Sequence, residues 1–147
     1  FAHLGTAFLI LGVGVVSTYS LEREVILSPG QNYTLGKSTF TFEGLENKRE
    51  SNYSTQEATI SILDGQQTYQ LKAEKRFYPF SKQVMTEAAI KPLLTQDFYI
   101  TLGEDFGDNR HSFRLQIKPF VRWIWFGALL VAIGTFLSAF KQRRRNE

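Results

Sequence analysis

The feature that most constrains this 147-residue chain is the apolar segment near its C-terminus. It begins after Pro119, carries Trp123 and Trp125 in its first turns, and continues to Phe140. A helix needs about 20 predominantly apolar residues to cross a bilayer, and tryptophans are enriched at membrane–water interfaces. Residues 119–140 are therefore predicted to form a transmembrane helix.

A basic cluster follows this segment directly and predicts its orientation. Lys141 is followed by three consecutive arginines at residues 143–145. Clusters of Lys and Arg keep the adjoining end of a membrane helix in the cytoplasm. The tail, residues 141–147, is therefore predicted to be cytoplasmic. The residues that precede the helix then lie on the opposite side, which is the periplasm in a Gram-negative bacterium.

A second apolar stretch opens the chain. Residues 1–16 contain only His3 and Thr6 as clearly polar side chains. The stretch is slightly shorter than a full crossing, and it lacks the positively charged start of a signal peptide. We expect residues 1–19 to form a transmembrane helix that is truncated at its N-terminus. The chain is accordingly expected to be a fragment of a larger membrane protein, with both of its ends cytoplasmic.

The region between the helices, residues 20–118, has the alternation of half-buried strands. The Asp64-Gly65 pair is a strong hairpin signal between two alternating segments. We therefore expect a small antiparallel all-β domain, either a barrel or a sandwich, on the periplasmic side. Residues 43–55 are polar and are predicted to form a loop. The side chains expected to face inward are those of Phe40, Phe42, Ile60, Ile62, Tyr69, Leu71, Ile100, Phe113, Leu115 and Ile117.

Composition excludes several classes of function. The absence of cysteine excludes disulfides, zinc–thiolate sites and a cysteine nucleophile. Four of the 17 basic residues lie in the tail, so the middle domain has no basic stripe of the kind that binds nucleic acid. Asp64 and Asp97 are isolated in the sequence, and no Ser or Thr has a histidine and an acid arranged around it. No catalytic residue is predicted.

His3 is the strongest candidate for chemistry. Ionisable residues inside membrane helices usually face a partner or a cofactor. On a helix, His3 shares one face with Ala7, Ile10 and Gly14, and the two small residues leave room beside it. Two interpretations stay open from the residues alone. His3 either ligates a haem iron axially, or it hydrogen-bonds a neighbouring helix or lies at the headgroups.

The remaining polar candidates have simpler interpretations. His111 lies beside Asp108 in a predicted turn, and we expect it to be an exposed turn residue. Lys118 and Arg122 flank Pro119 at the membrane edge. Long cationic side chains at that depth reach lipid headgroups or meet an anionic ligand, so membrane lipid is a predicted partner.

Four motifs together resemble a known family, and they span nearly the whole chain. They are Ala2-His3-Leu4-Gly5, Glu74-Lys75-Arg76-Phe77-Tyr78, Met85-Thr86-Glu87-Ala88-Ala89-Ile90 and Lys118-Pro119-Phe120-Val121-Arg122-Trp123-Ile124-Trp125. In order and spacing they resemble the C-terminal end of the CcmF family, the haem lyases of bacterial cytochrome c maturation. The last motif is the most specific. The family commonly has Thr-Arg-Asp where this chain has Thr95-Gln96-Asp97, which weakens any ionic role for the middle position.

The resemblance implies a multi-pass protein of the bacterial inner membrane that attaches haem covalently to apocytochrome c. It also implies the haem chaperone CcmE, CcmH and CcmI as partners. Family members carry a haem b between two membrane histidines, and His3 matches the second of them, as an axial ligand of the haem iron. The other ligand and the haem-transfer site would lie outside this chain. The chain is therefore not expected to catalyse thioether formation alone.

Two other classes of function remain open from the sequence. One is a membrane-tethered periplasmic binding domain without a cofactor, in which the β-domain is the working part. The other is a periplasmic hydrolase, which the missing nucleophile arrangement disfavours. Haem absorbance in the purified parent protein would separate the first class from a haem lyase.

Overall fold

The computed structural model describes the backbone of residues 2–145 and the side chains of residues 3–141. Within residues 2–145, helix α1 (Ala2–Tyr19) comes first, nine strands follow, and helix α2 (Val121–Arg145) comes last. The strands are β1 (Leu21–Leu27), β2 (Asn32–Leu35), β3 (Ser38–Arg49), β4 (Ser54–Asp64), β5 (Gln67–Tyr78), β6 (Gln83–Glu87), β7 (Ala89–Pro92), β8 (Gln96–Asp105) and β9 (His111–Pro119).

The described residues form two compact units. The β unit comprises Leu21–Pro92 and Phe98–Ile117, and the helical unit contains both helices together with the segment Leu93–Asp97.

The β unit is an antiparallel sandwich rather than a barrel. Among its described strands, one sheet has the order β1-β9-β8-β7 and the other has the order β2-β3-β4-β5-β6. Strands β1 and β9 pair from Leu21 opposite Ile117 to Leu27 opposite His111. This pairing joins the first and last strands of the unit, so the domain begins and ends in adjacent strands.

Alternating apolar side chains from the two sheets meet in the core. The ring centroids of Phe42 and Phe113 lie 4.8 Å apart, and those of Phe40 and Phe98 lie 5.8 Å apart. Eight of the ten side chains predicted to face inward are buried, and Tyr69 and Leu71 are half-buried. The alternation therefore identifies the core, because successive side chains of a strand point to opposite faces.

The predicted loop over residues 43–55 is wrong. Strand β3 continues to Arg49 and β4 begins at Ser54, so only residues 50–53 connect them. The pairing of β3 with β4 continues across a β-bulge between Phe42 and Gly44, where the register shifts by one residue. Beyond the bulge, polar side chains find partners across the strands, as when the Lys48 ammonium lies 3.0 Å from the Glu57 carboxylate.

In the helical unit, α1 and α2 run antiparallel. Gly5 lies beside Val131, and Gly12 lies beside Ile124. Residue numbers rise along α1 as they fall along α2, so the two helices run in opposite directions. Among the described residues one helix, Val121–Lys141 with a mean hydropathy of 1.9, is long and apolar enough to cross a membrane by length and composition. Residues His3–Tyr19 form a shorter apolar helix.

Candidate functional site

His3 lies near the start of α1, and its side chain is exposed. Ala7, Ile10 and Gly14, which follow on the same helical face, are exposed as well. A Cβ atom built on Gly14 would meet no atom within 4 Å. The predicted face is therefore open along at least three turns of the helix.

The opposite side of α1 packs against α2. A Cβ atom on Gly5 would lie 2.6 Å from the Val131 nitrogen, and one on Gly12 would lie 2.9 Å from Cγ1 of Ile124. His3 and Gly12 are nine residues apart, which is about two and a half helical turns. The His3 imidazole is therefore turned away from the α1–α2 contact and faces outward.

The open face has an accessible imidazole with free space beside it. An axial ligand needs one accessible imidazole nitrogen and space for the macrocycle beside it, and Ala7 and Gly14 leave that space. Among the described residues, no group of three or more His, Cys, Asp and Glu side chains could hold a metal ion. The other described histidine, His111, belongs to the β unit.

The start of α2 carries an aromatic cluster. Trp123 stacks on Phe8 of α1 with ring centroids 6.4 Å apart, and it meets Phe120 and Phe126 edge-on at 6.4 and 6.2 Å. Trp125, by contrast, is 74% exposed. Trp123 therefore contributes to packing between the helices, and Trp125 points away from that contact.

Phe120 is the residue that connects β9 to α2. Phe120 has a φ of 54°, a left-handed conformation that is uncommon for a bulky residue. Its N–H donates to the Thr95 carbonyl at 2.9 Å, and its carbonyl accepts from the Trp123 N–H at 3.0 Å. These hydrogen bonds tie the segment Leu93–Asp97 to the first turn of α2.

Asp97 holds this segment in shape. The residue is 6% exposed, and its carboxylate accepts a hydrogen bond from the Leu93 N–H at 3.2 Å. The Leu93 nitrogen also lies 3.0 Å from the Gln96 carbonyl oxygen. The sequence gives Asp97 no role, because its partner is a backbone group that no side-chain motif reveals. The tip of the segment, Leu94, is 71% exposed.

Between this tip and α2 lies an apolar cleft of about 240 Å³. It is lined by Leu94, Arg122, Trp123 and Phe126. The guanidinium of Arg122 forms no ion pair with any described residue, and the first turn of α2 contains no acidic residue.

The charged residues of the β unit form structural networks. Glu57 is nearly buried and accepts hydrogen bonds from Lys72 at 2.8 Å and from Lys48 at 3.0 Å. These bonds hold the pKa of Glu57 below its ordinary value. Because both lysines contact the same carboxylate oxygen, the three strands β3, β4 and β5 are cross-linked on their outer face.

Arg76 is held in a similar way. Its guanidinium lies 2.9 Å from Glu74 and 2.6 Å from Glu87, and it stacks over the Tyr53 ring at 5.0 Å. The hydrogen bond to Glu74 is the largest cause that raises the pKa of Arg76. The Glu74-Lys75-Arg76 run is therefore part of the sheet's own packing.

His111 is buried, so its prediction as an exposed turn residue is wrong. The residue is 5% exposed, its Nδ1 lies 3.3 Å from the Asn109 carbonyl oxygen, and its ring meets Phe42 edge-on at 6.0 Å. The turn ends at Asn109, whose φ is 58°, and β9 begins at His111 itself. His111 has the same strand parity as Phe113 and Leu115, so extending the alternation by two residues would have found it.

Comparison with known proteins identifies the family. A family model described as the CcmF C-terminal beta-sandwich matches residues 18–119. The chain belongs to the CcmF family. The cytochrome c-type biogenesis protein CcmF of Haemophilus influenzae is 43% identical over 145 residues, which are 98% of this chain and 22% of that relative. The probable cytochrome c-type biogenesis protein NrfE of Escherichia coli K12 is 38% identical over 147 residues, which are 99% of this chain and 27% of that relative.

A solved structure described as the cytochrome c heme lyase CcmF shares the fold. Its TM-score is 0.66 at 23% sequence identity, covering 92% of this chain and 23% of that chain. At this level of sequence identity, the similarity supports the fold and nothing beyond it. The resemblance to CcmF and the sandwich form of the predicted β-domain are both confirmed. The chain spans about a fifth of the length of the curated CcmF relatives, so the activity of a whole CcmF is a proposal for this chain.

Proposed function

We propose that this chain is the C-terminal part of a haem lyase that attaches haem covalently to apocytochrome c. Its relatives are cytochrome c-type biogenesis proteins, which supports the pathway. The observation that carries the specific role is the exposed imidazole of His3 on the face of α1 opposite the glycine contacts with α2. That face is available to a group supplied by the rest of the protein.

We further propose that both helices cross the bacterial inner membrane and that the β unit lies in the periplasm. Helix α1 has 18 residues, which at 1.5 Å per residue span about 27 Å, close to the hydrocarbon core of about 30 Å. Because α1 and α2 are antiparallel, the N-terminal end of α1 and the C-terminal end of α2 lie on the same side of the membrane. The basic residues after Phe140 support a cytoplasmic location for that side.

His3 is proposed as one axial ligand of a haem b in the full-length protein, with Ala7 and Gly14 beside the macrocycle. Bound haem supplies a one-electron redox couple. The fifteen steps from His3 to Thr18 cover about 22 Å, so His3 lies in the cytoplasmic half of the membrane. At this depth the imidazole is suited to holding an electron carrier and is far from a periplasmic attachment site.

The proposed partners follow from the pathway. They are the haem chaperone CcmE, CcmH, CcmI and apocytochrome c, with membrane lipid around the helices. No catalytic side chain is proposed within this chain, so its part in the reaction is to hold haem b and to carry the periplasmic sandwich. Thioether formation would require the remainder of the protein.

The test uses the full-length parent protein purified from membranes. His3→Ala should remove or shift the haem b absorbance, and added imidazole should restore part of it. His111→Gln is the matched control, because it removes the other imidazole from a site in the β unit and should leave the spectrum unchanged. An unchanged spectrum and haem content in a well-expressed His3→Ala variant would exclude the ligand role. A parent that never contains haem would favour a membrane-tethered binding domain.

A further inference from the structure

The cleft at the start of α2 is separate from the His3 face. It is lined by Leu94 from the Leu93–Asp97 segment and by Arg122, Trp123 and Phe126 from α2. Helix α2 is the helix with the length and composition to cross a membrane among the described residues. The cleft therefore lies where the proposed membrane span begins.

The lining combines one positive charge with apolar walls. Leucine and aromatic side chains form the walls, and Arg122, which has no ion-pair partner among residues 3–141, is the charged group. A free inorganic anion would gain nothing from the apolar walls, and an uncharged hydrocarbon would leave the guanidinium unmatched. The lining is complementary to an amphiphile that carries a negative headgroup and an apolar chain.

The size of the cleft limits which ligands it can hold. Its volume of about 240 Å³ is below the range of about 300–1,000 Å³ that encloses a drug-sized ligand. It would therefore hold part of a long molecule, such as the upper segment of one acyl chain. The exposed Leu94 side chain extends the apolar wall beyond the helix surface.

The cleft is also built on a fixed frame. The left-handed Phe120 is hydrogen-bonded to Thr95, and the buried Asp97 carboxylate holds the Leu93 N–H. Trp123 is packed against Phe8 and Phe120. The wall formed by Leu94 and the wall formed by Trp123 are thus held at a set separation before a ligand arrives.

We propose that this cleft binds one anionic phospholipid of the periplasmic leaflet, with its phosphate at Arg122 and an acyl chain against Leu94, Trp123 and Phe126. The proposal rests on the proposed membrane crossing of α2. It is independent of haem, because His3 lies on the outward face of α1 and does not line the cleft.

The experiment measures lipid retained by the full-length protein. The protein is reconstituted into vesicles of phosphatidylglycerol or phosphatidylcholine, re-extracted in mild detergent, and analysed by native mass spectrometry. Wild type should keep one more phosphatidylglycerol than phosphatidylcholine. Arg122→Gln should lower that retention about fivefold, the factor expected for one cation at a membrane surface. Arg122→Lys should keep much of it, and Leu94→Ser should reduce retention of both lipids.

Arg23→Gln is the matched control, because it removes an exposed cation from strand β1 and should leave lipid retention unchanged. Equal retention by wild type and Arg122→Gln, or no preference for phosphatidylglycerol in wild type, would overturn the lipid site. Haem absorbance and resistance to carbonate extraction are recorded on the same samples. A membrane-integrated, haem-containing protein without the lipid would refute the lipid site alone, whereas loss of membrane integration in wild type would refute the proposed function.

Discussion

Gly5 of α1 lies so close to Val131 of α2 that a Cβ atom on the glycine would sit 2.6 Å from the valine backbone nitrogen. Gly127 makes the reciprocal approach, with a Cβ position 2.7 Å from the Leu9 nitrogen. Backbone atoms cannot move aside as a flexible side chain can, so both positions require glycine. Small residues at such contacts allow membrane helices to pack closely.

Replacing a contact glycine should separate the helices. Gly5→Leu or Gly127→Leu is expected to lower the free energy of unfolding by about 1–3 kcal/mol, the usual cost of overpacking. Denaturant titration of the detergent-solubilised protein measures this change. Gly14→Leu is the control, because its Cβ meets no atom within 4 Å and helix pairing should survive. The variants are compared in haem-free protein, since Gly14 is proposed to lie beside the haem. Equal destabilisation by Gly14→Leu would show that the loss does not come from the α1–α2 contact.

Truncating the aromatic core should destabilise the sandwich. Phe113 is fully buried and its ring lies 4.8 Å from that of Phe42. Phe113→Ala is expected to cost about 3–5 kcal/mol of unfolding free energy. Phe80→Ala removes the same ring from a site that is 96% exposed and should change stability by no more than about 0.5 kcal/mol. Similar effects of the two changes would contradict the assigned core.

The charge on Glu57 should make the free energy of unfolding vary with pH in the acid range. The folded-state pKa lies below the ordinary value of 4.5, so the ionised carboxylate stabilises the fold above that pH. This contribution is lost as the pH falls through the folded-state pKa. Glu57→Gln is expected to lower stability by about 1–2 kcal/mol at pH 7, near the range for hydrogen bonds to charged groups. It should also flatten the fall of stability below pH 4.5.

Urea titrations from pH 3 to pH 7 would test this expectation. Glu46→Gln is the comparison, because Glu46 lies 3.7 Å from Lys48 but its side chain is 71% exposed. Exposed pairs contribute little, so this change should alter stability by less than about 1 kcal/mol. If the stability of Glu57→Gln falls at acid pH as steeply as that of wild type, Glu57 does not contribute to the pH dependence of stability.

The proposed topology predicts opposite compartments for two reporters. A reporter inserted in the turn at residues 50–53 should be active in the periplasm, and one fused after Glu147 should be active in the cytoplasm. The turn is the suitable insertion site because it connects two long strands and contains exposed residues. Activity of both reporters in the same compartment would refute the crossing of α2.

Several features could be predicted from the sequence because they depend on local periodicity. The alternation of Phe113, Leu115 and Ile117 identifies one buried face of β9, since side chains in a strand have a period of two. The apolar run after Pro119 identifies α2 by length alone. The motifs around His3 and Trp123 identify the family, because the order and spacing of residues can be read from the sequence without knowing the fold.

Other features were decided only by tertiary structure. The continuation of β3 past Gly44 depends on a bulge and on the ion pair between Lys48 and Glu57 of the neighbouring strand β4. The role of Asp97 depends on a backbone N–H of Leu93. Local periodicity does not show which of these groups meet, because the register between the strands and the path of the segment Leu93–Asp97 are set by tertiary packing.

The sequence by itself determined which side chains prefer to leave water, and so it determined the helices, most of the core and the family. Only the packing of α1 against α2 decided that the His3 face is open while the Gly5 face is closed. Every side of an apolar helix looks equally suited to burial in sequence, whereas a backbone approach within van der Waals distance selects the side that has no Cβ atoms in the way.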